Sequence, residues 1–215
     1  MILSRARRYL FIHAPKTGGT SMALALEARA AKDDLMLGDT PKARARRHKV
    51  RATPETGRLW KHSTLADLEG VVRPDELDDL FIFTLVRNPW DRMVSYYHWL
   101  RAQSFDNPVV ALARATTFEA FVTTPSVLES FARAPAASYV TDRAGRMRAR
   151  LFIRLEHLAE DIAPLEAHLG FALEVPHANR SARAGEWRNA YSARSRAAVA
   201  KACARDIADF GYQFG

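Results

Sequence analysis

The sequence contains a single cysteine and no long hydrophobic run. Cys203 cannot form an internal disulfide, because it has no second cysteine to pair with, and a reducing compartment therefore suffices. No stretch approaches the roughly twenty apolar residues of a membrane span. The first residues also lack the longer apolar region and small-residue cleavage site of a signal peptide. We therefore expect a cytoplasmic protein without an integral membrane segment.

Metal-binding spacings and internal repeats are absent as well. Histidine, cysteine and carboxylate residues do not occur at the intervals typical of zinc or other metal sites, so the sequence predicts chemistry without a metal ion. The length of 215 residues fits one domain of α/β size better than two, and a hydrophobic content of 48% is enough for a full core. We expect a single domain over residues 1–215.

Negative charge is in the minority. The chain has 32 lysines and arginines against 24 aspartates and glutamates, which gives a formal net charge of +8. This balance favours anionic partners, such as nucleotides, sulfated or phosphorylated sugars, nucleic acid or a membrane surface. Composition alone does not choose among these partners, so the choice depends on local motifs.

The most informative segment is Leu-Phe-Ile-His-Ala-Pro-Lys-Thr-Gly-Gly-Thr-Ser, at residues 10–21. An apolar run ending at Ile12 is typical of a buried strand, and the alanine- and leucine-rich residues after Ser21 favour a helix. Gly18 and Gly19 allow a ligand to approach the backbone closely, and Thr20 or Ser21 is suited to cap the helix, whose amino end attracts negative charge. The segment predicts a binding site for a phosphate-like anion.

The segment differs from a Walker loop in the order of its residues. A Walker loop places lysine after its last glycine, whereas Lys16 precedes both Gly18 and Gly19. A nucleoside triphosphatase is therefore disfavoured. An ordinary glycine turn between strand and helix is the alternative interpretation, but such a turn requires neither the lysine nor the following hydroxyls.

A second strand-loop-helix unit follows at residues 80–101. Leu-Phe-Ile-Phe-Thr-Leu-Val predicts a central parallel strand, and the proline of Arg87-Asn-Pro ends it and begins a helix that continues to Arg101. Because ligands of open α/β sheets bind at the carboxyl ends of the strands, Lys16 and Arg87 are expected to serve one site. We predict a three-layer α/β fold of the P-loop NTPase-like type. Its mainly parallel sheet would have strands near 8–13, 81–86 and 151–155, with helices on both faces.

These two segments resemble the nucleotide-binding motifs of sulfotransferases that use 3′-phosphoadenosine-5′-phosphosulfate (PAPS). Pro-Lys-Thr-Gly-Gly-Thr-Ser is similar to their 5′-phosphosulfate loop. Arg87 and the serine eight residues later are similar to their 3′-phosphate motif. The resemblance implies PAPS as sulfate donor, bound by Pro15, Lys16, Thr17, Gly18, Gly19, Thr20, Ser21, Arg87, Ser95 and Arg180.

Later segments extend the resemblance to the branch that includes glycan 2-O-sulfotransferases and many small bacterial relatives. Residues 152–161 look like that family's strand and helix start, and residues 179–181, Tyr191 and 206–212 look like its closing loop and helix. Residues 28–57 and 102–147 match no motif of the family, and acceptor recognition is expected to vary there. The resemblance implies a hydroxyl acceptor on a carbohydrate, lipid or small metabolite, and it leaves the oligomeric state open.

Two side chains are candidates for the chemistry that the resemblance implies. Lys16 is suited to stabilise charge on the leaving oxygen, as in phosphoryl transfer. His62 is the predicted general base, since it follows a short apolar stretch and the glycan-sulfotransferase branch carries a catalytic histidine in a similar place. A capping or core role is the alternative for His62, and a structural hydrogen bond is preferred for His13.

Other features have simpler interpretations. The basic run at residues 42–51 is read as a solvated face on a loop or short helix, with recruitment of an anionic acceptor as the alternative. Trp60, Trp90 and Trp187 are candidate adenine stackers, although buried packing is the more frequent role of tryptophan.

Three other functions compete with sulfuryl transfer. A nucleotide kinase would require the Walker lysine and a magnesium-binding carboxylate, for which Asp91 has no obvious partner. A nucleic-acid-binding module would interleave aromatic and basic residues on one surface. An inactive relative that only binds anions would keep Lys16 and Arg87 without turnover.

Overall fold

A computed structural model describes residues 1–50, 59–176 and 186–215. Over these residues the chain divides into two compact units. The first comprises Met1–Val86 with Ala136–Asn179, and the second comprises Arg87–Pro135 with Arg180–Gly215, in each case where the chain is described. The single domain expected from the length stays a prediction.

The first unit contains a five-stranded sheet. Its strands are β1 (Ile2–Ser4), β2 (Tyr9–Ile12), β3 (Leu35–Met36), β4 (Phe81–Val86) and β5 (Leu151–Arg154), in the spatial order β3-β1-β2-β4-β5. β4 lies between β2 and β5 and is parallel to both, whereas β1 is antiparallel to β2 and β3. The predicted α/β fold with a mainly parallel sheet is confirmed.

Within the described residues, the α-helices follow in chain order as α1 (Gly19–Ala28), α2 (Pro41–Arg46), α3 (Pro89–Arg101), α4 (Pro108–Ala115), α5 (Phe118–Val122), α6 (Pro125–Ala132), α7 (Ala136–Tyr139), α8 (Leu158–Asp161), α9 (Ala163–Leu169), α10 (Ala193–Ala202) and α11 (Ala204–Phe210). Short 3-10 helices occupy Arg47–Lys49, Ala66–Leu68, Pro74–Glu76, Leu155–His157 and Trp187–Ala190. In the described part of the chain, no helix is both long and apolar enough to cross a membrane.

The three predicted strands are all present, as β2, β4 and β5. The two that the sequence did not indicate are β1 and β3, with three and two residues respectively. Segments this short do not reach the four to eight residues over which alternation identifies a strand. β1 forms because it pairs with β2 through a tight reversal, in which Ser4 faces Tyr9. β3 forms because it pairs in turn with β1.

Aromatic packing forms the core of the first unit. Phe11 of β2 and Phe83 of β4 stack with ring centroids 5.2 Å apart, and Met22 and Leu26 of α1 pack in the same cluster. Every residue of β2, and every residue of β4 after the first, is buried. Both faces of these strands are therefore covered, as expected for a parallel sheet flanked by helices.

The second unit is helical and has its own core. Trp90, Met93 and Tyr97 on one face of α3 pack with side chains of the neighbouring helices, among them Phe121 and Val199. The side chain of Asn88 caps α3, because its Oδ1 accepts a hydrogen bond from Trp90 N at 3.1 Å. The helix predicted to continue to Arg101 is confirmed, and it begins at Pro89.

Candidate functional site

One edge of the sheet collects the loops in which ligands of such folds bind. Because β2, β4 and β5 are parallel, their carboxyl ends lie at the same edge. The loop after β2 runs to Gly18, and the chain after β5 turns at Leu155. A Cβ on Gly18 would lie 2.6 Å from Leu155 Cδ1, so the loop is packed directly against the turn that follows β5.

The loop after β2 has an unusual backbone. Lys16 has φ 65°, in the left-handed region, and Gly18 has φ 85°. Among the described residues, Arg8 and Lys16 are the non-glycine residues with positive φ. The left-handed conformation costs a residue with a side chain roughly 1–2 kcal/mol, and such strain is concentrated at functional loops.

The helix after this loop starts earlier than the capping prediction required. Gly18 is the N-cap of α1 and makes no side-chain cap, and Ser21 N donates to Gly18 O at 3.0 Å. The predicted capping by Thr20 or Ser21 is therefore wrong, since the left-handed glycine ends the loop and both hydroxyl residues lie in the first helical turn. That turn contains no acidic side chain of its own to offset the positive end of the helix dipole.

The hydroxyl of Thr17 is turned into the protein. Its Oγ1 donates to Ala14 O at 2.9 Å, and the side chain is buried. Its hydroxyl hydrogen therefore stabilises the loop itself.

Lys16 and Thr20 are half-buried, so each is partly accessible from solvent.

His13 connects the loop to the core. Its ring stacks on Phe11 with centroids 5.9 Å apart and lies so close to Gly19 that a Cβ there would overlap it. Burial holds the pKa of His13 well below its ordinary value, and the nearby His62 lowers it further. His13 is therefore neutral, and its ring packs between Phe11 and the backbone of Gly19, whereas the hydrogen bond expected for it from the sequence stays a prediction.

His62 is held by the backbone of His13. His62 Nδ1 lies 2.7 Å from His13 O, and the ring centroids of the two histidines are 4.6 Å apart. A carbonyl oxygen only accepts hydrogen bonds, so Nδ1 carries the proton, and Nε2 of the neutral ring keeps its lone pair. The structure thus presents His62 Nε2 as a proton acceptor.

The surroundings of His62 favour its neutral form. Burial is the largest cause and lowers its pKa to about 4, and the cations of Lys61 and the Met1 amino group act in the same direction. The hydrogen bond to His13 O and the carboxylate of Asp39 oppose this shift without cancelling it. At neutral pH, His62 is therefore unprotonated and competent as a base.

In the second unit, Arg87 is paired with a carboxylate. Arg87 directly follows the last residue of β4, and its Nε and Nη2 lie 2.8 and 2.7 Å from Asp91 Oδ2. Both side chains are only 12% exposed. Asp91 and Ser95 follow at intervals of four residues, which places them on one face of α3. From the sequence, Asp91 was a candidate only for a metal ligand, although its position four residues after an arginine indicates an ion pair.

The predicted site residues fall into two groups. The first unit contains His62 and the predicted loop residues Pro15, Lys16, Thr17, Gly18, Gly19, Thr20 and Ser21. There His62 contacts His13, the residue that begins the loop. Arg87 and Ser95 belong to the second unit. Arg180 lies outside the described residues. Residues 1–50, 59–176 and 186–215 contain no group of three histidine, cysteine or carboxylate side chains able to hold a metal ion.

The three tryptophans proposed as stackers have different environments. Trp90 is 4% exposed and donates from Nε1 to Arg196 O at 3.0 Å, so it is a core residue. Trp187 packs edge-on against Phe214 with ring centroids 5.2 Å apart. Trp60 is 53% exposed and has its ring 4.9 Å from that of His62. Of the three, Trp60 retains an accessible aromatic face.

Comparison with known proteins gives one family. A family model described as the sulfotransferase family matches residues 1–175, which include the loop after β2, His62, Arg87 and Ser95. No curated protein matches the sequence significantly. The match ends before Tyr191 and residues 206–212, so the likeness of those segments to the family stays a prediction.

We expect Gly19→Ala to disturb His62 through His13. The new methyl group would displace the His13 ring, remove part of the burial of His62 and raise the pKa of His62 from about 4 towards its ordinary value of 6.5. An NMR titration of the histidine ring resonances measures the shift. Gly145→Ala is the control, because no atom lies within 4 Å of the new Cβ at that position, so any effect there comes from its positive φ alone, which Gly19 does not have. An unchanged His62 titration in Gly19→Ala would contradict this coupling.

Proposed function

Because the chain belongs to the sulfotransferase family, we propose that it transfers a sulfuryl group from PAPS to an acceptor hydroxyl by in-line displacement. The observation that carries the proposal is the loop between β2 and α1. In it Lys16 and Gly18 precede a helix that begins at Gly19 and whose first turn contains no acidic residue. The acceptor class is a carbohydrate, lipid or small metabolite with a free hydroxyl.

The proposed donor fits the chemistry of this loop. Left-handed backbone at Lys16 and Gly18 and the amino end of α1 are arrangements that direct main-chain N–H groups at anions. We propose that the N–H groups of Gly18, Gly19 and Thr20, with the hydroxyls of Thr20 and Ser21, hold the 5′-phosphosulfate. Pro15 and Thr17 would shape the loop around it, and Thr17 would contribute through its main chain because its hydroxyl already donates to Ala14 O.

The 3′-phosphate is assigned to Arg87 and Ser95. A guanidinium offers two parallel N–H groups to phosphate oxygens, and the ion pair with Asp91 fixes the plane of that guanidinium. Arg87 directly follows Val86, the last residue of β4, so the end of that strand sets its backbone position. Arg180 stays a predicted additional contact from the sequence.

The proposed reaction forms a bond between the acceptor oxygen and sulfur as the bond from sulfur to the 5′-phosphate oxygen breaks. His62 Nε2 takes the proton of the acceptor hydroxyl. The Lys16 ammonium stabilises the negative charge on the phosphate oxygen of the departing adenosine 3′,5′-bisphosphate. A side chain that follows the oxygen as it departs is needed there, and a flexible lysine suits that role.

The alternatives are less well supported by the site. A nucleotide kinase requires a lysine after the last glycine, where this chain has Thr20. A module that only binds anions or nucleic acid would not need a neutral, oriented histidine, and His62 is one. Kinship with the glycan 2-O-sulfotransferase branch and a cytoplasmic location stay predictions.

Donor recognition is tested by calorimetric binding. Wild type is expected to prefer adenosine 3′,5′-bisphosphate over ATP and 5′-AMP. Arg87→Ala should remove that preference by weakening the bisphosphate about ten- to a hundredfold, the effect of one or two charged hydrogen bonds. Arg114→Ala removes the same charge from an exposed position of α4 and should bind like wild type. Equal binding of the three nucleotides by wild type would refute the proposed donor.

Lys16→Ala is expected to lower kcat by about a hundred- to a thousandfold, as loss of a group that stabilises a developing anion does. Alanine at residue 16 has the same left-handed backbone cost as lysine, so the free energy of unfolding should be similar in Lys16→Ala and wild type. This comparison separates a loss of turnover from a loss of folding. The measurement is conversion of PAPS into adenosine 3′,5′-bisphosphate with water or an added alcohol as acceptor. Lys201→Ala, at an exposed position of α10, is the control. Undiminished turnover in Lys16→Ala would remove Lys16 from the mechanism.

The pH dependence of PAPS conversion should report His62. The unprotonated ring is the active form, so the rate is lost as the pH falls through about 4, the pKa that burial imposes, and stays nearly constant between pH 5.5 and 7. An exposed histidine would instead lose activity near pH 6.5. In His62→Asn the rate should be about a hundred- to ten-thousandfold lower, and the acidic limb, which is the fall of the rate at low pH, should disappear. An acidic limb that persists in His62→Asn would exclude His62 as the base.

A further inference from the structure

Asn88 makes two different hydrogen bonds at the start of α3 in the second unit. Its Oδ1 accepts from Trp90 N at 3.1 Å, and its Nδ2 donates to Gln213 O at 2.9 Å. The side chain is only 8% exposed. One buried amide group therefore joins the first turn of α3 to residues 211–215, which follow α11 and are called the 211–215 segment below.

A second helix of the same unit shows what capping alone requires. Asn107 precedes the first proline of α4 just as Asn88 precedes that of α3, and its Oδ1 accepts from Val109 N at 2.9 Å. The side chain of Asn107 makes no further hydrogen bond to the described part of the chain. The cap of α4 is thus complete without a partner for the amide nitrogen, so the bond from Asn88 to Gln213 O has a role beyond capping.

The ring of Phe214 holds another residue of the same turn. It meets the Trp90 ring edge-on with centroids 5.5 Å apart, and the guanidinium of Arg196 lies 4.5 Å from its centroid. Trp90 also donates from Nε1 to Arg196 O, and its own carbonyl accepts from the Tyr191 hydroxyl at 2.8 Å. Edge-to-face ring pairs and hydrogen bonds both have directional geometry, so these contacts fix the position of the turn as well as burying it.

These contacts surround the residue that we assign to the 3′-phosphate. Arg87 immediately precedes Asn88, and Asp91, which pairs with the Arg87 guanidinium, immediately follows Trp90. Hydrogen bonds weaken steeply as their distance and angle change, so a shift of this turn would weaken the contact of Arg87 with a phosphate. The family match ends at residue 175, so the 211–215 segment lies outside it.

We propose that Asn88 is a positioning residue for the 3′-phosphate, and that the 211–215 segment, through Gln213 O and the Phe214 ring, sets the place of Arg87 before the nucleotide binds. The inference rests on the proposed sulfuryl transfer and adds residues that act on the donor through Arg87. Because the 5′ end of the donor is assigned to the loop after β2, loss of this support should weaken recognition of the 3′-phosphate only.

Asn88→Ser tests the bond to Gln213 O while keeping the cap. Serine caps a helix about as well as asparagine, but its single, shorter hydroxyl cannot also bond to Gln213 O. In calorimetric titrations, the affinity of Asn88→Ser for adenosine 3′,5′-bisphosphate should fall about five- to tenfold, the effect of one hydrogen bond. Its affinity for 5′-AMP, which has no 3′-phosphate, should stay unchanged. Asn107→Ser makes the same change at the cap of α4 and should bind both nucleotides like wild type.

Phe214→Ala removes the ring that packs on Trp90 and should have the same selective effect. Because both changes act through one turn, the double variant should lose less affinity for the bisphosphate than the product of the two single losses. Phe105→Ala removes an exposed ring elsewhere in the unit and should bind like wild type. The free energy of unfolding is measured for every variant, and if Phe214→Ala does not fold, Asn88→Ser alone decides.

The possible outcomes separate this inference from the donor assignment. Wild-type affinity for the bisphosphate in Asn88→Ser and Phe214→Ala, beside a loss in Arg87→Ala, would overturn the positioning role and leave the donor assignment intact. Equal losses of affinity for 5′-AMP and the bisphosphate would also overturn it, because a general loosening of the fold affects both nucleotides. If wild type does not prefer the bisphosphate over 5′-AMP, the donor assignment fails and the positioning role fails with it.

Discussion

The contact between the His13 ring and the Gly19 backbone is the constraint on which the site depends. It leaves no space for a side chain at residue 19, so the loop and the start of α1 are fixed against the end of β2. The same residue that makes this contact uses its carbonyl to orient His62. One residue, whose ring rests on Phe11 in the core, thereby fixes both the position of the proposed anion-binding loop and the tautomer of the proposed base.

Several arginines in the described part of the chain are paired with carboxylates and therefore add nothing to its net charge. Arg148 lies between Asp142 and Asp78, Arg154 forms a double hydrogen bond with Asp161, and Arg87 is held by Asp91. These pairs fix the direction of each guanidinium in advance, so a ligand does not have to order the side chain when it binds. An excess of positive charge in the composition is therefore a weaker guide to ligand sites than the particular cations that the fold leaves at a pocket.

The sequence was sufficient for the features that depend on local chemistry. Strands β2, β4 and β5, the start of a helix after each of the first two, and the loop from Pro15 to Ser21 all follow from apolar runs and turn residues. Three features depend on contacts between distant residues and had no local signal. β1 and β3 are too short to show alternation. The hydrogen bond between His62 and His13 joins residues 49 positions apart. The packing of Leu155 on Gly18 joins two loops. The N-cap of α1 was assigned to a hydroxyl residue because the preference for such caps is strong, but a left-handed glycine took that position.

The left-handed backbone at Lys16 lowers the folding stability of the chain. A glycine at this position would adopt φ 65° without steric penalty, so retaining a lysine there sacrifices about 1 kcal/mol of folding stability. Random substitution followed by selection for thermal stability alone would drift away from lysine at residue 16. Under the proposed mechanism, folding stability and turnover therefore make opposite demands on residue 16, and a thermostabilised variant that has lost Lys16 would be a poor catalyst.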